Sequence, residues 1–162
     1  MPKHLIPIVA TVFVMLFVWL SMAPLLSWYE FGSYAEELDE ARFKWSNSGV
    51  SDYSYVYEIS SYYAPPLRGA LRVTVRDGQL SRSSLVDDGE LIDISGMPAV
   101  PGTIDLAFDF ISTLIAEYPY EIDVEYDAVL GYPKKIMVDF SDSTEDEATY
   151  LIGSFKIIQD GF

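Results

Sequence analysis

Three groups of side chains have types and spacing that suit chemistry. Asp139, Asp142, Glu145, Asp146 and Glu147 fall within nine residues and offer carboxylate oxygens of the kind a hard cation takes. The run lacks the regular alternation and central glycine of an EF-hand loop. Calcium, through Asp142, Glu145, Asp146 and Glu147, is therefore a candidate ligand outweighed by a solvated loop, and no cofactor is expected. Arg68, Arg72 and Arg76 recur on one side of an alternating segment and suit an anionic ligand. Pairing with Glu58 or with the row Glu121, Asp123 and Glu125 explains them more simply, since opposite charges across strands contribute about 0.2–1 kcal/mol each. Tyr53, Tyr55, Tyr57, Tyr62 and Tyr63 form an aromatic series. The first three alternate as core residues do. Tyr62 and Tyr63 point to opposite faces beside Pro65 and Pro66, so at least one is a candidate partner contact, of the type that anchors interfaces.

Other chemistries are closed to this chain. It has no cysteine, which removes disulfides, thiol nucleophiles and thiolate zinc sites. Its only histidine is His4, so nothing beyond residue 28 can use an imidazole as base or ligand. All 25 acidic residues and nine of the ten lysines and arginines lie after residue 28, so residues 29–162 are more negative, by a single charge, than the chain's -15. Such a field repels phosphate backbones, so nucleic acid is not an expected partner. Paired carboxylates for glycoside hydrolysis are available in number, but no spacing in the sequence locates a pair.

From Leu5 to Trp28 no residue is charged. A helix of that length reaches roughly 36 Å, enough to cross a bilayer core. Lys3 precedes it and Glu30, Glu36 and Glu37 follow, which places the N-terminus in the cytoplasm and the rest outside. The expectation is an anchor in residues 1–28, held in a bacterial inner membrane through residues 5–28, and an extracytoplasmic acidic domain in residues 29–162. A cleaved signal peptide ending at Ala23 is the rival, disfavoured because Pro24 would follow the cut directly.

The elements that position these side chains can be read in turn. Ser33 and Glu36 have capping-box spacing for a helix running to Asn47, with Leu38, Ala41 and Trp45 on one face and Gly49 as its stop. Residues 52–59 alternate as a half-buried strand. A second strand turns inward Leu71, Val73 and Val75, and Asp77-Gly78 makes a tight hairpin into a third. Strict pairing would turn Arg82 inward, so a bulge or fraying is required there. After a loop at 87–102, Thr103 caps a helix with Ile104, Ala107, Phe108, Ile111 and Leu114 at helical spacing, stopped by Pro119. Ile122, Val124 and Tyr126, then Ile136, Val138 and Phe140, are the inward rows of two more strands, and a sixth runs from about Ala148 to Ile158. The order α-βββ-α-βββ suggests an internal duplication. The fold class is α+β, with a single transmembrane helix followed by an antiparallel sheet carrying two helices on one face.

Trp45 followed by Tyr53-Ser54-Tyr55, the run Val73 to Gly78, Thr103-Ile104-Asp105, and Tyr126-Asp127 with Gly131-Tyr132-Pro133 together resemble a bacterial family of exported domains of unknown function, numbered 6174. The likeness covers most of residues 38–158. It implies location and fold but no activity. Family members often carry a cysteine near the end of the first strand; Ser61-Tyr62-Tyr63 stand here, so any role of that cysteine does not transfer.

The function expected is a non-catalytic binding or accessory domain, a small subunit or assembly partner of a membrane complex, with a protein partner. A cell-envelope hydrolase using paired carboxylates is the alternative.

Overall fold

A computed structural model describes residues 33–61, 67, 69–141 and 147–159. Contacts divide the chain into Met1–Glu36 and Glu37–Phe162. Of the first unit only residues 33–36 are described, as helix. The second is a single six-stranded sheet with helices on one face.

Helix α1 covers 33–47 and ends before Gly49, whose φ of +67° suits a residue without a Cβ. Ser33 is already helical, so it does not cap; the helix start lies outside the described residues. The strands are β1 (Tyr53–Ser61), β2 (Leu71–Arg76), β3 (Gln79–Leu85), β4 (Glu121–Tyr126), β5 (Pro133–Asp139) and β6 (Glu147–Ile157), with α2 (Ile104–Ala116) between β3 and β4. All neighbours pair antiparallel in the order β3-β2-β1-β6-β5-β4. Two three-strand meanders thus lie side by side, joined at β1 and β6.

The expected transmembrane helix is a correction. No helix among the described residues is long and apolar enough to cross a membrane. The run at 5–28 lies outside those residues, and the described architecture is the α+β sheet with its two helices.

The inward rows follow the alternation of the sequence. Tyr53, Tyr55 and Tyr57 stand opposite Val75, Val73 and Leu71, and all six are fully buried. Ile136, Val138 and Ile122 continue the row across β5 and β4. Leu38, Ala41 and Trp45 from α1, and Ile104, Ala107, Phe108 and Ile111 from α2, close over it. Asp77 and Gly78 both take positive φ, the geometry a two-residue hairpin needs. The required bulge falls between Thr74 and Val75, which pairs Arg82 with Thr74 and turns it to solvent. A second irregularity between Ser54 and Val56 puts one extra residue into β6, where Ser154 has φ +49°. This bulge sets Phe155 inward against Trp45 and Tyr53. Phe140 is a correction: it follows the last residue of β5 and is exposed.

Cross-sheet pairing of the arginine row with Glu121, Asp123 and Glu125 is also overturned. β2 and β4 are four strand steps apart, roughly 19 Å, too far for an ion pair. Arg76 instead lies 3.6 Å from Asp52, and Arg68 is outside the described residues.

Candidate apolar groove

The three inward tyrosines end in hydroxyls, and burial requires each to find a partner. All three find it in one place, the segment leading into α2. Tyr53 Oη accepts from the Ile104 amide at 2.9 Å. Tyr55 donates to the Pro101 carbonyl at 2.5 Å, and Tyr57 donates to the Ala99 carbonyl. β1 therefore bolts residues 99–104 to the sheet, and Thr103 Oγ1, accepting from the Leu106 amide at 3.2 Å, turns that segment into α2. Burial holds the tyrosines neutral: Tyr53 is pushed up to about 12, and Tyr55 and Tyr57 are raised as well.

The bolted segment forms one wall of a groove of about 800 Å³. Leu106, Phe110 and Leu114 of α2 form the other, with Ile94, Met97 and Leu80 at its ends. Leu106 is 52 % exposed and Leu80 38 %, so apolar surface stays open to solvent there. Asp109, Thr113 and Glu117 supply the polar rim. Asp109 is 3.1 Å from Arg42 of α1, whose guanidinium also reaches Ser112 Oγ and lies over the Phe108 ring. Asp109 and Glu117 are eight residues apart on one helix, about 12 Å along its axis.

Among the described residues, none of those singled out from sequence for partner or metal contact lines this groove. Tyr62, Tyr63, Asp142, Glu145 and Asp146 lie outside the described residues, and Glu147 is an exposed residue opening β6. Among the described residues no group of three or more His, Asp and Glu side chains could hold a metal. Tyr126 to Pro133 proves to be a scaffold element. The Asp127 carboxylate accepts from the Val129 and Leu130 amides, and the Asp127 amide donates to Tyr132 O. Gly131, at φ +81°, sits where a Cβ would run into Ala41 O, so this turn docks on the α1 backbone. Tyr132 stacks on Phe155 at 4.3 Å.

Leu106, Met97 and Phe110 escaped the sequence reading. The available signal was a loop rich in apolar residues (Ile92, Ile94, Met97, Val100) ahead of a helix whose Leu106 falls off its buried stripe.

No curated protein and no solved structure matches this chain. A family model does, over residues 37–157, which takes in the whole sheet, α2 and all but the first turn of α1. The chain belongs to the family of unknown function DUF6174.

Proposed function

We propose that this is a non-catalytic binding or accessory domain that takes a short apolar segment of a partner protein, carrying basic side chains, in the groove beside α2. The observation that carries this is the groove itself: about 800 Å³, apolar along both walls, with Glu117 at the rim beside Asp109, which Arg42 already pairs. Pockets of this size and lining are the usual form of a binding site, and an acidic rim favours a cationic partner. The domain's negative charge adds to that preference at longer range. We place this domain outside the cytoplasm, on the strength of the uncharged run between Leu5 and Trp28 behind Lys3.

The test uses short synthetic peptides of matched apolar content, one set with lysines and one with glutamates. The lysine set should shift NMR resonances of Met97, Leu106 and Thr113, and Leu106→Asp should abolish those shifts while leaving the fold intact. Shifts scattered over the surface, or equal binding of the glutamate set, sink the reading.

A further inference from the structure

The geometry points to a second copy of this chain as the occupant of the sheet face opposite the helices. Both helices pack on the tyrosine face, so the other face carries the alternate residues of all six strands. Its charges are sorted by strand. β2 and β3 present Arg72, Arg76 and Arg82, whereas β4 presents Glu121, Asp123 and Glu125. Asp52 meets Arg76, and Lys135 lies 3.9 Å from Glu125. Among the described residues the side chains of Arg72 and Arg82 have no ion pair or hydrogen bond. Between the two rows β1, β6 and β5 present Val56, half-buried Met137, the exposed Gly153 and Leu151 at 38 % exposure, with exposed Glu58 opposite Leu151, Lys156 toward the basic corner, and Asp139 and Glu147 toward the acidic one.

A face that is basic at one corner and acidic at the opposite one is complementary to itself. A twofold axis lying in its plane reverses the order of strands, so the β2–β3 side of one copy covers the β4 side of the other. Leu151, on β6 beside the β1–β6 junction, then meets its own symmetry mate. The register fixes the direction of this axis. Arg76 and Arg82 lie level with Asp52 and Ser54, toward the start of β1, whereas Glu125 lies level with Glu58 and Glu121 lies further on. An axis that exchanges these two corners is oblique to the strands, so the two sheets cross at a large angle, as in orthogonal packing. Six strands at about 4.8 Å and strands of about 25 Å give a face of roughly 600 Å² per copy, near the ~800 Å² that each partner contributes to a standard interface. The chain's charge of -15 opposes association of two copies in general, so the matched rows are what favour this orientation over others.

Because the chain has no cysteine, one introduced thiol can link only to the same position in another copy. The full-length Leu151→Cys protein should form a disulfide-linked dimer under mild oxidation, with Val129→Cys, 82 % exposed on a distant turn, as the control. Arg72→Glu with Arg82→Glu should lower the linked fraction about tenfold, and adding Glu121→Arg with Asp123→Arg should restore it. Linking at Leu151 no faster than at Val129, or a linked fraction indifferent to the arginine reversals, overturns the proposal. Neither substituted region lines the groove, so this outcome is independent of peptide binding there.

Discussion

At the scale of single residues, the tyrosines of β1 and the glycine of the 126–133 turn have the sharpest consequences. Tyr55 is fully buried and its hydroxyl donates to Pro101 O. Tyr55→Phe removes the donor and leaves a buried carbonyl unmatched, so it should cost about 1–3 kcal/mol in urea unfolding with the denaturant slope unchanged. Gly131 combines a positive φ with contact against the α1 backbone, two reasons why a side chain cannot be accommodated. Gly131→Ala should cost upwards of about 2 kcal/mol, because neither Ala41 O nor the turn can retreat without breaking the bonds at Asp127. A loss below about 0.5 kcal/mol in the same measurement would mean that the turn is not docked.

Among the elements, α2 is the one that joins core to groove, and Thr103 starts it. Thr103→Ala should destabilise the domain by about 1 kcal/mol and loosen the Leu106 wall, measured as faster amide exchange in the first turn of α2 than in β1. The elements themselves were largely legible in the sequence because each has an unambiguous period. Tyr53, Tyr55 and Tyr57 alternate, Ile104, Phe108 and Ile111 recur at helical spacing, and Asp77-Gly78 admits few conformations. Even the misfit at Arg82 pointed to a bulge, and one lies between Thr74 and Val75. Strand order was not legible, because alternation reveals a strand's faces and not its neighbours. The arginine row and the β4 acids therefore looked like partners when they stand at opposite sides of the sheet. The groove was hidden for a related reason. Ile94, Met97 and Val100 follow no period, and only the hydroxyls of three tyrosines over forty residues away in sequence draw that segment into a wall. Ser33 misled because a capping box is a pattern of two side chains, and the backbone is already helical there.

For the whole molecule, the tyrosine core makes alkaline conditions the natural challenge. An unfolded tyrosine ionises near pH 10, whereas folding pushes Tyr53 up to about 12 and raises Tyr55, Tyr57 and Tyr126, chiefly by desolvation. Each group binds its proton more tightly in the folded state. The stability linked to them is therefore complete below about pH 10 and declines as pH rises toward 12 and beyond. The urea midpoint should hold up to about pH 10 and then fall, with buried tyrosines ionising only as the fold is lost. Full tyrosinate absorbance near pH 10 with circular dichroism unchanged would contradict that linkage.

β3 is shielded, since the Ile92 amide donates to Ser83 O and the Leu85 amide to Glu90 O. The three hydroxyl bolts to residues 99–104 have a further effect on how the groove is entered. Its wall cannot swing aside without stripping hydrogen bonds from the centre of the core, so it does not mould itself to a guest. The entropy of arranging that wall is spent when the chain folds and is not charged again at each encounter. A segment docking there, as proposed, would meet a finished shape, and recognition would be a matter of collision and fit.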